Sequence, residues 1–135
     1  MGDDLLQETV RLRYPRLLAS GVDENDAQTV LGRITRFDDW CAAWVAMAEA
    51  HERLGEEALR EGRTVTAGEA FVRAAIYYHT GQSVYFDDPA EKRRVQERQR
   101  DAYRKAMPFL CPPGQQLEVP FEGTSATTSR TRSVR

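Results

Sequence analysis

Two stretches of residues at helical spacing dominate the chain between positions 38 and 85. In the first stretch, residues three or four apart form one stripe, which comprises Trp40, Trp44, Met47, His51, Leu54 and Ala58. In the second, small and aromatic residues follow the same period at Ala67, Ala70, Phe71, Ala74, Ala75 and Tyr78. Such spacing is typical of a helix with one buried face, and Gly62 between the stretches is typical of a helix end. The pattern therefore predicts an antiparallel helical hairpin.

Three further helices are predicted outside this hairpin. The first covers about 3–20 and is expected to break at Pro15, because proline removes a backbone donor and clashes with the preceding turn. The second covers about 23–34 and begins at Asp23. The third begins at Asp88 and Pro89, a strong helix start, and ends near residue 107. Together these elements predict an all-α fold of about five helices arranged as antiparallel hairpins.

After residue 112 the period changes from helical to two. Leu117, Val119 and Phe121 alternate with other residues, which predicts one β-strand, and this strand has no evident partner in the chain. Residues 124–135 have no period and almost no apolar side chains, so a disordered tail is expected. The predicted organisation is a helical domain over 1–112, a linker and orphan strand over 113–123, and the tail over 124–135.

Composition and charge exclude several classes of function. The 135 residues suggest one domain with a formal net charge of −2, which gives no reason to expect nucleic acid or an anionic membrane as partner. No apolar run reaches transmembrane length, and the acidic N-terminus lacks the apolar core of a signal peptide. Cys41 and Cys111 are too far apart in sequence for a zinc motif or a disulfide scaffold. A reducing cytoplasmic location is predicted, with no cofactor and no metal.

Charged residues are predicted to cover two solvated helix faces. The acidic face of the first hairpin helix includes Glu49, Glu52 and Glu56. The basic residues between Lys92 and Lys105 suggest a second such face, and the alternative is a weak phosphate-binding surface. Because acidic residues dilute the positive charge of this helix, the solvated face is favoured.

Candidate chemistry is sparse. The sequence holds no G-x-S-x-G motif, and no catalytic residue can be assigned. A hydrogen-bonded packing role is favoured for each of the two histidines. Helical spacing favours a core position for most of the aromatic residues, whereas Tyr77 and His79 lie off the main stripe. The candidates for contact with a substrate or a partner domain are Trp40, Trp44, His51, Tyr77, Tyr78 and His79.

Three sequence features occur together in a characteristic order. They are W-x3-W at 40–44, the run AGEAFVRAAIYYH at 67–79, and V-P-F-E-G at 119–123. Between about 11 and 124 the chain resembles the N-terminal helical domain of α/β hydrolases similar to 2,6-dihydroxypseudooxynicotine hydrolase and to the fermentation-respiration switch esterase.

The resemblance implies a helical cap over a small-molecule substrate site. In these serine hydrolases, which cleave ester or C–C bonds, the Ser, Asp and His triad lies downstream of the helical domain. The resemblance therefore implies a truncated or frame-shifted hydrolase that is inactive alone, whose partner is a catalytic α/β-hydrolase domain or a second copy of the chain. The alternative is a stand-alone helical interaction module with tetratricopeptide-like packing.

Overall fold

The computed structural model describes residues 2–85 and 87–131, with side chains described for 4–85 and 87–123. The helices of this part are α1 (Gly2–Ala19), α2 (Glu24–Arg33), α3 (Trp40–Arg60), α4 (Thr64–Ser83) and α5 (Pro89–Ala106). Short 3-10 helices lie at Phe37–Asp39 and Met107–Phe109, and the strands are β1 (Gly114–Phe121) and β2 (Thr124–Thr131). The predicted all-α class with about five helices is confirmed.

A tight turn at Gly62 folds α4 back along α3. Gly62 has a φ of +74°, a conformation that favours glycine because a Cβ would crowd the backbone. The Gly62 N–H donates to the Leu59 carbonyl at 3.1 Å, and the Arg63 N–H donates to the Ala58 carbonyl at 2.8 Å. These two bonds satisfy carbonyls that the end of a helix would otherwise leave unpaired. The predicted hairpin and its turn at Gly62 are confirmed.

Two glycines allow α3 and α4 to pack closely. A Cβ at Gly55 of α3 would lie 2.7 Å from the Phe71 ring of α4. A Cβ at Gly81 of α4 would lie 3.1 Å from the Trp44 Cβ and 3.2 Å from the Cys41 carbonyl oxygen. Since real Cβ atoms rarely approach so closely, a larger residue at either position would push the helices apart.

The core is built around the α3–α4 hairpin. Its largest fully buried side chains are Trp40, Trp44, Phe71, Tyr77, Tyr78, Val30 and Val95. Val30 comes from α2 and Val95 from α5, so both of these helices pack against the hairpin. Phe71 belongs to a smaller cluster near the Gly62 turn, with Ala58, Ala67 and Ala106.

The acidic face of α3 and the basic face of α5 contact each other. Arg98 donates to Glu49 at 3.0 Å, and Lys105 donates to Glu52 at 2.9 Å and to Glu56 at 3.0 Å. The charged residues of both faces stay largely exposed, as predicted, but their long side chains also reach across between the helices, a pairing that the sequence analysis does not predict. Ion pairs this exposed contribute about 0–1 kcal/mol each, so they orient α5 more than they stabilise it.

Helix α1 continues through Pro15, and the predicted break is wrong. Proline has a fixed φ that suits a helix, so the penalty comes from the missing backbone donor and the ring clash. Leu17, two residues later, is only 7% exposed and belongs to the main core. Burial of this last turn offsets the lost hydrogen bond.

The C-terminal strand is paired, which corrects two predictions. β1 and β2 form an antiparallel hairpin whose register runs from Gly114 opposite Thr131 to Phe121 opposite Thr124. The strand is therefore not an orphan, and 124–131 are not a disordered tail; residues 132–135 lie outside the described residues. Glu122 and Gly123 have φ values of +44° and +79°, which is the turn geometry that favours a two-residue hairpin loop. The proposed domain boundaries stay a prediction.

No helix in the described part of the chain combines enough length with enough apolar character to span a membrane.

Replacing Gly55 by alanine is expected to lower the free energy of unfolding by roughly 1–2 kcal/mol, because displacing the Phe71 ring outweighs the helix propensity of alanine. Gly32 in α2 is the matched control, since a Cβ there meets no atom within 4 Å. Gly32→Ala should raise the free energy of unfolding by up to about 1 kcal/mol. Urea denaturation of both variants tests this, and a Gly55→Ala variant as stable as the parent would contradict the packing argument.

Candidate functional site

The six candidate residues lie in two separate places. Four of them are in the core and at most 1% exposed, namely Trp40, Trp44, Tyr77 and Tyr78. His51 lies at the edge of this core, with a side chain that is 13% exposed. His79 is exposed and lines a groove between α4 and α5. The structure therefore brings five of the six together, and their contact with a substrate or partner stays a prediction.

Aromatic rings form a ladder through the core. Ring centroids are 5.9 Å apart for Trp40 and Trp44, 5.7 Å for Trp44 and Tyr77, and 5.1 Å for Tyr77 and His51. The Trp40 indole N–H donates to the Thr80 carbonyl at 3.0 Å. The Trp44 indole nitrogen is buried and has no hydrogen-bond partner among the described residues. Rings in such tilted and edge-on contacts stabilise a core, so the ladder serves packing in this chain.

A partly exposed carboxylate, that of Asp26, connects α2 to the helical hairpin. The Tyr77 hydroxyl donates to Asp26 Oδ2 at 2.5 Å and accepts from the Asp23 N–H at 3.2 Å. His51 Nε2 lies 2.8 Å from the same Asp26 oxygen. An ionised carboxylate only accepts hydrogen bonds, so His51 Nε2 carries the proton. The packing role predicted for His51 agrees with this contact.

Tyr78, like Tyr77, donates its hydroxyl to a carboxylate, and it lies beneath the ion pairs between α3 and α5. Its hydroxyl donates to Glu52 Oε1 at 2.9 Å, and the other oxygen of Glu52 accepts from Lys105. The Arg98 guanidinium lies over the Tyr78 ring, 4.8 Å from the ring centroid. Tyr78 is thus held by the residues that orient α5.

Burial keeps the core hydroxyls and the core thiol neutral. Desolvation raises the pKa of Tyr77 and Tyr78 well above the usual tyrosine value, and the hydrogen bonds to Asp26 and Glu52 raise it further. Burial also raises the pKa of the Cys41 thiol to about 11. At neutral pH none of these three groups is ionised, which argues against a role as nucleophile or base.

The groove between α4 and α5, called the α4–α5 groove below, is the better candidate for binding. Its volume is about 720 Å³, within the range of small-molecule sites. It is lined by Ser20, Val72, Ala75, Ile76, His79, Gln99, Arg100, Tyr103, Arg104 and Gln116. Apolar side chains and two arginines face one space, and no Asp or Glu is among the lining residues.

A glutamine network fixes the His79 ring beside this groove. Gln82 is 5% exposed, and its Nε2 donates to Gln99 Oε1 at 3.4 Å and lies 3.3 Å from His79 Nδ1. Gln96 Nε2 donates to Gln82 Oε1 at 3.3 Å. Since Gln82 Nε2 is a donor, His79 Nδ1 accepts, and the neutral ring carries its proton on Nε2.

Sequence reasoning did not identify Asp26, Glu52, Gln82 and Arg100 as site residues. Asp26 lies in the first turn of α2, where an acidic residue is common without any further role, and Glu52 lies on a face predicted to be solvated. A signal for the contact of Glu52 with α5 was available in the sequence. It consists of matching charged stripes, acidic on α3 at Glu49, Glu52 and Glu56 and basic on α5 at Arg98 and Lys105. Among the described residues, no three His, Cys, Asp or Glu side chains are grouped closely enough to hold a metal ion.

Stability is expected to fall as the pH rises above about 10, the usual pKa of tyrosine. The folded chain keeps Tyr77 and Tyr78 protonated, whereas the unfolded chain ionises them near pH 10, so unfolding releases protons above that pH. Tyr77→Phe should reduce this loss between about pH 10 and 11, and Tyr14→Phe is the control. Urea denaturation at each pH measures the slope, and an unchanged slope in the Tyr77→Phe variant would refute the assignment.

The chain is similar to curated proteins named as hydrolases. It is 34% identical over 126 residues to "Hydrolyase poxO" of Penicillium oxalicum, a match that covers 85% of this chain and 30% of that protein. It is 29% identical over 116 residues to "2,6-dihydropseudooxynicotine hydrolase" of Paenarthrobacter nicotinovorans, covering 86% of this chain and 31% of that protein. No family model matches the chain.

A solved structure shares the helical fold. The crystal structure of 2,6-dihydroxy-pseudo-oxynicotine hydrolase superposes with a TM-score of 0.71 at 27% identity, covering 84% of this chain and 32% of that chain. The family resemblance predicted from the sequence is confirmed. The chain is therefore homologous to α/β hydrolases similar to 2,6-dihydroxypseudooxynicotine hydrolase; the homology covers most of this chain and about 30% of the length of those proteins.

Proposed function

We propose that this helical region acts as the cap of an α/β hydrolase, lies over the substrate site of a catalytic domain, and is inactive without that domain. The observation that carries the proposal is the TM-score of 0.71 with part of a solved hydrolase. The chain spans about 30% of the length of the curated relatives it matches. The activities in their names belong to the whole proteins, so hydrolysis is proposed here only for a complete enzyme.

The chemistry of the described residues supports a positioning role. The core tyrosines and Cys41 are held neutral by burial, and His51 is engaged with Asp26. A serine nucleophile with its base, for cleavage of an ester or C–C bond, would be supplied by the catalytic domain. The helical region would exclude water and orient the small-molecule substrate, as closing elements do in many enzymes.

Strand β1 offers a surface for the catalytic domain. Val119 and Phe121 lie two residues apart on the same strand face and are 48% and 63% exposed. A two-stranded sheet is marginally stable on its own, so coverage of this face by the catalytic domain would stabilise it. In the absence of that domain, a second copy of the chain would take its place.

Two further predictions accompany this proposal. The cytoplasmic location stays a prediction, supported by cysteines 41 and 111, which are both free thiols. The alternative function, a stand-alone interaction module of tetratricopeptide-like packing, also stays a prediction.

The purified chain is expected to show no turnover of p-nitrophenyl butyrate. In a chimera, this chain replaces the segment that it matches in 2,6-dihydropseudooxynicotine hydrolase of Paenarthrobacter nicotinovorans. This chimera should retain measurable hydrolysis of 2,6-dihydropseudooxynicotine. Deletion of the same segment is the control and should abolish hydrolysis. A chimera that folds, as judged by circular dichroism, but is as inactive as the deletion would contradict the cap proposal.

The isolated chain is expected to self-associate through the exposed face of β1, since uncovered apolar surface promotes association. Sedimentation velocity over a concentration series should show a species larger than a monomer. A Val119→Thr/Phe121→Thr variant should shift the distribution toward monomer, whereas Leu5→Thr, which changes an exposed leucine of α1, should not. A strictly monomeric parent chain at high concentration would count against this surface.

A further inference from the structure

We infer that the α4–α5 groove is a binding site for an amphipathic aromatic carboxylate, formed by the helical region alone. This inference goes beyond the cap proposal, because it requires no catalytic domain and would hold for the chain by itself.

The charge of the groove selects for an anion. The chain holds 21 acidic and 19 basic residues, yet none of the ten residues that line the groove is acidic. Arg100 has no ion pair within the described part of the chain, although Arg94 and Arg98 of the same helix are paired with glutamates. Arg104 contacts Asp101 at 3.4 Å, and both side chains are more than half exposed. The Arg100 guanidinium is thus available to bind an anion, and the Arg104 guanidinium is held only by an exposed ion pair.

A polar end of the groove can receive a carboxylate. His79 and Gln99 lie at this end, because Gln82 contacts both of them, and Arg100 follows Gln99 in α5. The His79 ring accepts at Nδ1, which leaves the Nε2–H as a donor for a ligand. An arginine matches the two oxygens of a carboxylate, so imidazole and guanidinium together can bind one such group.

The remaining surface of the groove suits an aromatic body. Val72, Ala75 and Ile76 share one face of α4 with His79, and the four residues extend over about 10 Å of helix. Tyr103 of α5 is half-buried and lines the same space. Aliphatic side chains and a phenol ring favour a flat apolar group over a hydrated ion such as phosphate.

The inference is tested on the full chain with 2-naphthoate as probe and 2-naphthamide as its neutral counterpart. Calorimetric titration should give a dissociation constant on the order of 1 mM or below for 2-naphthoate and markedly weaker binding of the amide. Arg100→Gln should weaken 2-naphthoate binding about three- to fivefold. Arg93→Gln is the matched control, since it removes the same charge from an exposed position of α5 outside the groove, and it should leave the dissociation constant unchanged.

Amide chemical shifts locate the bound probe independently of the variants. Addition of 2-naphthoate should perturb the signals of His79, Gln99, Arg100 and Tyr103 and leave those around Trp40 unchanged. No binding at millimolar 2-naphthoate, equal binding of the amide, equal weakening by both arginine variants, or shifts outside the groove would each overturn the inference. None of these results would bear on the cap proposal, which depends on activity of the chimera.

Discussion

The close contact of α3 and α4 is the constraint on which the rest of the fold depends. Gly55 meets the Phe71 ring near one end of this contact, and Gly81 meets Trp44 near the other. The hairpin can therefore bury its large rings between helices that nearly touch. Helices α2 and α5 pack onto the surface of this hairpin, since Val30 and Val95 both enter the core around it.

Polar contacts decide how the outer helices are oriented on that surface. Asp26 fixes α2 by accepting from Tyr77, and Glu52 connects Tyr78 to Lys105 of α5. A hydrogen bond to a charged group contributes about 1.5–3 kcal/mol, more than an exposed ion pair. The Tyr77 hydroxyl thus bonds to α2 directly through Asp26, whereas the Tyr78 hydroxyl is connected to α5 through Glu52 of α3.

Local sequence patterns predicted the helices well and their polar contacts poorly. The stripe from Trp40 to Ala58 has one helical period, so a few neighbouring residues suffice to assign it. The partners of Tyr77 and Lys105 lie 51 and 53 residues away in sequence. The local sequence around a glutamate does not distinguish a hydrated side chain from one that is paired with a distant residue. The β1–β2 hairpin was missed for a related reason, because residues 124–131 are almost entirely polar and their composition resembles that of a disordered segment.

The same limit applies to the candidate site. Aromatic residues serve cores and ligand sites equally, so their spacing alone could not separate Tyr77, which is buried, from His79, which is exposed. His79 was identified from its position off the main stripe. Arg100 could not be identified from the sequence, because whether its guanidinium can bind a ligand depends on which basic residues of α5 form ion pairs with α3.

The ring ladder also determines which part of the structure the intrinsic tryptophan fluorescence of this protein reports on. Both tryptophans of the chain stand in it, 5.9 Å apart, and Tyr77 at 5.7 Å from Trp44 is close enough to transfer its excitation. Intrinsic fluorescence therefore monitors one location, the α3–α4 contact. Detachment of the β1–β2 hairpin from the helices would leave the emission unchanged, so a second spectroscopic signal is needed to establish whether the chain unfolds in a single step.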